Sequence, residues 1–212
     1  MKDHLKNLIT RYPVLSPIEN AIYTAYSIME GTFLSGGKLF TCGNGGSASD
    51  ADHIVGELMK SFILERRISD ELKNKIDEKY GNDGQFIVKN LQCGLKSICL
   101  NGHPALFSAY CNDVESDMVY AQQLFVLGNA GDCLLAISTS GNSENVYRTI
   151  QTASVTGIKT ILLTGSSGGR CAPLVDCAVK VPAEGAYMIQ ELHLPIYHAL
   201  CLELEEKFYG NK

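Results

Sequence analysis

Five short apolar runs, at 38–42, 95–100, 132–137, 159–163 and 177–181, limit what this chain can fold into more than any other feature. None shows the strict alternation of a strand with one wet face. Short continuous apolar runs are the mark of strands covered on both faces, and strands interleaved with helices make a parallel sheet. The expectation is an α/β fold: a doubly wound five-stranded parallel sheet flanked by helices. Ligands of such sheets bind beyond the carboxyl ends of the strands.

Two loops lie at those ends. The run Asp132-Cys-Leu-Leu-Ala-Ile137 is followed by Ser138-Thr-Ser-Gly-Asn-Ser143, and helical spacing resumes over 144–156. A helix N-terminus presents backbone N–H groups with partial positive charge, which suits a phosphate. Ser138, Thr139, Ser140 and Ser143 add uncharged donors, and Gly141 permits a close turn. A Ser or Asn in this place also serves as an ordinary N-cap; four hydroxyls in six residues favour an anion cradle. The second loop, Gly43-Asn-Gly-Gly-Ser47, follows the strand at 38–42 and leads into a helix expected over 48–64. Asn44 and Ser47 can reach a ligand held by the first loop.

On that helix His53 and Glu57 are four residues apart, hence on one face. A long final helix is expected over 186–208, with Pro195 inside it and a kink near Glu191. Gln190 and His198 are about 80° apart around it, so one broad face can present both. His193 points elsewhere, as a structural residue. His198 lies among apolar neighbours, where a histidine is also commonly a satisfied core residue.

The N-terminal stretch reads as helices over 2–12 and 18–35, with Ile22, Ala25, Met29 and Phe33 near helical spacing. Residues 65–90 are charged and turn-rich. They read as an insertion with a helix over 69–79 and a solvated surface. Cys111-Asn-Asp113 reads as a polar corner between helices at 104–109 and 116–127.

The formal net charge of −5, without a basic run, gives no nucleic-acid footprint. The 8 cysteines include no C-x-x-C pair, so a zinc ribbon or redox dithiol is not indicated, and buried reduced thiols are expected. Met1-Lys-Asp-His-Leu-Lys has no apolar signal core, and no run approaches the ~20 residues of a membrane span. A cytoplasmic protein with no membrane and no nucleic-acid partner is expected.

Taken together, Cys42-Gly-Asn-Gly-Gly-Ser47, Asp52-His53 with Glu57, Asn112-Asp113, Ile137 through Ser143, and Ile189-Gln-Glu with His193 and His198 resemble the sedoheptulose-7-phosphate (phosphoheptose) isomerases of the sugar-isomerase (SIS) domain superfamily. The motifs span nearly the whole chain in the family's order. The resemblance implies a single SIS domain over residues 1–212 with flavodoxin-like layers, a helical N-terminal extension (about 1–35) and the insertion at about 65–90. It implies a homotetramer with active sites at subunit interfaces. The implied reaction is aldose–ketose isomerisation of sedoheptulose 7-phosphate to D-glycero-D-manno-heptose 7-phosphate, toward activated heptose. By this likeness Glu57 is the base and His198 the acid. Ser47, Ser138, Thr139, Ser140 and Ser143 hold the phosphate, Asn44 contacts the substrate, and Asp113 and Gln190 orient the sugar. Some members bind zinc, and the matching ligands here are His53, Glu57, Gln190 and His198; a bound metal would revise the acid–base roles.

Two departures stand out. The insertion is longer than the corresponding segment in smaller family members, and Tyr187-Met188 stand where many members carry Asp-Arg. These leave two other readings open: an isomerase of another phosphosugar, and a non-catalytic SIS-type regulator that binds a phosphosugar or a protein.

Overall fold

The computed structural model describes residues 3–210. Five strands form one parallel sheet: β1 (Leu39–Gly43), β2 (Ser97–Cys99), β3 (Cys133–Ile137), β4 (Lys159–Thr164) and β5 (Cys177–Lys180), in the order β2-β1-β3-β4-β5. The order reverses direction between β1 and β3, the switch point at which doubly wound sheets open a crevice. Gly43 pairs with Ile137, so Asn44 and Ser138 leave adjacent strand ends at one level.

Successive strand residues feed opposite cores. Leu39, Cys133, Leu135, Ile137, Ile161 and Leu163 face one side, packed by α2 (Glu19–Leu34), α3 (Gly46–Met59) and α9 (Ala186–Tyr209). Phe40, Cys42, Leu134, Ala136 and Leu162 face the other, under α7 (Val119–Leu127) and α8 (Glu144–Val155). Complete burial on both faces is why these runs are apolar throughout, each large side chain contributing about 1.5–3 kcal/mol. All 8 cysteines are free, and the six buried ones all belong to these cores.

α1 (His4–Arg11) is capped by Asp3, whose carboxylate accepts the Lys6 N–H at 2.8 Å. It packs with α2 against α9, and Ile22, Ala25, Met29 and Phe33 enter the chain's own core. The segment between α3 and β2 holds α4 (Asp70–Tyr80) and α5 (Gln85–Asn90). In these helices only Ile76 is buried, as a charged surface excursion requires. Arg66 breaks that expectation. It is fully buried with Glu205, Nε to Oε1 at 2.8 Å.

Several elements differ from the sequence expectation. α3 stops at Met59 rather than residue 64, because Arg66 binds the Leu58 and Glu57 carbonyls at 2.7 and 3.2 Å and the chain turns extended at Lys60. α6 (Pro104–Asp113) runs on through the expected polar corner. α9 carries Pro195 within one continuous element. Among the described residues no helix is long and apolar enough to cross a membrane.

Candidate active site

The two loops at the switch point are tied together by a pair of amides. Asn44 Nδ2 donates to Asn145 Oδ1 at 2.8 Å, and Asn145 Nδ2 donates back to Asn44 Oδ1 at 3.0 Å. The Tyr120 hydroxyl, 2.8 Å from the Gly43 carbonyl oxygen and 3.1 Å from Asn44 Oδ1, fixes this corner from below. Ser47 is buried in the first turn of α3.

In the other loop, Ser138 and Ser143 Oγ atoms stand 3.2 Å apart, and Ser140 Oγ accepts the Asn142 N–H at 3.2 Å. Gly141 adopts φ +64°, and a Cβ there would run into the Gly168 carbonyl of the neighbouring turn. Ser143 caps α8 by position only; its side chain makes no cap hydrogen bond and meets Ser138 instead. The first N–H groups of a helix have no partner within it. Thr139 and Ser140 open onto a cleft of about 370 Å³ shared with Gly165, Ser166 and the start of α9. Glu144, at the head of α8, is paired with Arg148 and Arg170, and the Arg170 hydrogen bond holds its carboxyl below the usual range. This offsets an anionic side chain beside an anion cradle.

The titratable cluster lies between α3 and α9. His53 Nε2 is 3.3 Å from Glu57 Oε1, and Lys60 Nζ is 2.7 Å from Glu57 Oε2. The His53 and His198 rings are edge to face at 5.1 Å. His198 also packs against Phe62 and Tyr197, and its Nε2 is buried without a hydrogen-bond partner. Burial pushes the His198 pKa down, helped by His53 and Arg11 and opposed by Glu57. On its other side His198 lines a cleft of about 310 Å³ with Arg11 and Glu191.

Gln190 joins cluster and loop: its amide lies directly over Gly46, at the start of α3. Gln190 and His198 thus do share the face of α9 that meets α3. His193, in contrast, is fully buried; burial lowers its pKa to about 4 against a smaller opposing pull from the Thr164 backbone.

Asp113 stands apart from these groups. It is exposed at the end of α6, and its carboxylate accepts only from Asn112, at 2.8 Å. Asp50, Tyr197 and Asn145 belong to the site but escape the sequence reading. Tyr197 reads as one of the apolar neighbours of His198, and the sequence reading does not single out Asp50; its spacing three before His53 is the available signal.

The donor chemistry suits zinc: two imidazoles and a carboxylate, one imidazole nitrogen being buried and unpartnered. Within the chain, however, no group of three or more His, Cys, Asp or Glu stands at metal-holding spacing among the described residues.

Known proteins share this fold. An SIS domain model matches residues 84–165. The phosphoheptose isomerase of Nitratiruptor sp. is 36% identical over 98% of this chain and 97% of its own length. That of Helicobacter pylori strain P12 is 34% identical over 92% and 88%. The chain belongs to the phosphoheptose isomerase family. Among solved structures, the family's enzyme from Neisseria gonorrhoeae superposes with a TM-score of 0.74 at 28% identity, over 96% of this chain and 95% of that one. The Francisella tularensis enzyme gives 0.74 at 29%, over 95% and 94%. Family membership makes the chain an isomerase.

Proposed function

We propose that the protein interconverts sedoheptulose 7-phosphate and D-glycero-D-manno-heptose 7-phosphate, in the supply of activated heptose. The observation that carries this reading is the meeting of Glu57 and His198 across His53, on two helices that Gln190 links to the loop after β1.

Ser47, Ser138, Thr139, Ser140 and Ser143, with the α8 N-terminus, bind the phosphate and leave the far end of the sugar to reach the cluster. Glu57 takes the proton from C1 of the ketose. The C1–H electrons form C1=C2, and the C2 carbonyl electrons move to O2, which His198 protonates. O1 then gives its proton back to His198 as C1=O forms, and C2 takes the proton held by Glu57 to give the aldose, which restores both groups. General acid–base groups so placed contribute about 10²–10⁴-fold each. Asn44, Gln190 and Asp113 orient the sugar; Asp113, remote from the cluster in its own chain, fits this role across a subunit boundary.

The proposal includes a cytoplasmic homotetramer with sites at subunit interfaces. His53, with 41% of its side chain exposed beside the cluster, is consistent with a site completed by a neighbour. It also includes zinc, held by His53, Glu57, Gln190 and His198, which would polarise sugar oxygens. Were zinc bound, Glu57 and His198 would be among its ligands, and the acid–base roles above would be revised.

The test is turnover of sedoheptulose 7-phosphate by metal-free and zinc-loaded protein, alongside sedimentation. Turnover abolished by Glu57→Gln supports the reading. A folded tetramer that leaves heptose 7-phosphates unchanged in both states overturns it.

A further inference from the structure

Asp50, Tyr197, His53 and Glu57 form an unbroken line of polar contacts. The Tyr197 hydroxyl is 3.1 Å from Asp50 Oδ1 and 3.1 Å from His53 Nδ1, and His53 Nε2 is 3.3 Å from Glu57 Oε1. Tyr197 is 1% exposed, and Asp50 Oδ2 is buried with no partner of its own. The carboxylate's hydrogen-bond contact with the protein is therefore the phenol.

A phenol oxygen donates one proton and accepts another. If Tyr197 donates to Asp50, it accepts from His53 Nδ1–H. If it donates to Nδ1, it accepts from a protonated Asp50. Both assignments leave every heavy atom in place, so the ring is held whichever way the protons run. His53 itself is substantially exposed, and packing alone does not fix its rotation. Tyr197 also packs edge to face on both His53, at 5.5 Å, and His198, at 5.0 Å.

We infer that Asp50 and Tyr197 are positioning residues for the isomerase reaction. Acting through His53, they aim the Glu57 carboxylate, and Tyr197 keeps base and acid in register. The inference rests on the proposed isomerisation for its kinetic consequence, but not for its structural one. Groups that orient the partner of a reacting side chain are commonly worth about 10–100-fold in activity or ligand affinity.

The experiment uses full-length Tyr197→Phe, which keeps the ring and removes only the hydroxyl, with Asp50→Ala, Asp50→Asn and the Asp50→Ala/Tyr197→Phe double variant. Kinetics are read with sedoheptulose 7-phosphate. The His53 ring nitrogen resonances are followed by NMR, assigned with His53→Gln, and unfolding temperatures are recorded.

Tyr197→Phe is expected to lose about 10–100-fold in kcat with KM within about threefold, and to shift the His53 ring nitrogen resonances, whichever partner carries the proton. Asp50→Ala should behave alike, and Asp50→Asn, which keeps an acceptor oxygen, should recover most of both readouts. The double variant should be no worse than either single one. Wild-type kcat in Tyr197→Phe, or loss of kcat with the His53 signal unchanged, overturns the inference. Asp50→Ala decides the matter in the same way if Tyr197→Phe does not fold. Should wild-type protein turn over no heptose phosphate, the isomerase reading fails on its own, and the His53 signal still decides the positioning.

Discussion

Gln190 on α9 lies against Gly46 on α3, so close that a Cβ at Gly46 would stand 2.6 Å from Gln190 Nε2. The glycine is thus required by its neighbour rather than by its own backbone, whose φ is not positive. Gly46→Ala should leave stability unchanged or raise it by up to about 1 kcal/mol, as alanine does in a helix. It should displace the Gln190 amide and lower kcat/KM by about 10–100-fold, the scale of a small misplacement at a site. Thermal unfolding and steady-state kinetics on one sample separate the two effects; unchanged kinetics would remove Gln190 from the site.

The Arg66–Glu205 pair carries a second expectation. Glu205 accepts the Phe62, Ile63 and Leu64 N–H groups at 2.8, 2.9 and 3.1 Å as well as the Arg66 guanidinium. Removing one member leaves the other charge buried and unpaired, a loss of about 3–5 kcal/mol. Glu205→Ala should show it in urea unfolding. The double change Arg66→Met with Glu205→Leu should restore only part, because three backbone donors still lack an acceptor. A loss below about 1 kcal/mol in Glu205→Ala would mean that water replaces the carboxylate.

His193 makes stability depend on pH. Its folded pKa of about 4 lies below the ordinary 6.5, so the folded state prefers the neutral ring. The unfolded chain therefore binds the proton first as pH falls. The associated stability is complete above pH 6.5 and declines down to about pH 4, by about 3 kcal/mol in all. Comparing wild type with His193→Gln by urea unfolding at several pH values isolates this part from the carboxylates. Parallel curves for the two proteins would contradict it.

The sheet was legible because burial on both faces leaves no choice of residue: Cys133 through Ile137 is apolar at every position, although odd and even members enter different cores. The loops were legible from composition. Arg66 was not, since in Glu65-Arg-Arg it looks like any solvated charge, and only the fold brings Glu205 to it from 139 residues away. α3 was expected to be longer for the same reason, as its end is set by that arginine. Gln190 and His198 could be placed on one helix face by spacing. Tyr197, one residue earlier among Leu194, Ile196 and Leu200, carries no local sign that its hydroxyl meets Asp50 on another helix. Asp113 shows the opposite limit: it reads as part of a polar corner, the structure puts it at the exposed end of α6, and its chemistry within one chain is not apparent.

The paired amides of Asn44 and Asn145 have a consequence for the protein's chemical ageing. The pair of bonds needs one N–H and one carbonyl from each partner, and a carboxylate in either place has no N–H to give. Asn44 is followed by Gly45, the neighbour that most readily lets an asparagine side chain cyclise and hydrolyse to aspartate. That conversion would set oxygen against oxygen across the loops and place a negative charge beside the phosphate. Stored at mildly alkaline pH, the protein should gain acidic isoforms by isoelectric focusing and lose phosphosugar affinity in step, while Asn44→Ser keeps a constant, lower affinity. The durability of the crevice is then set by one amide bond and not by the stability of the fold.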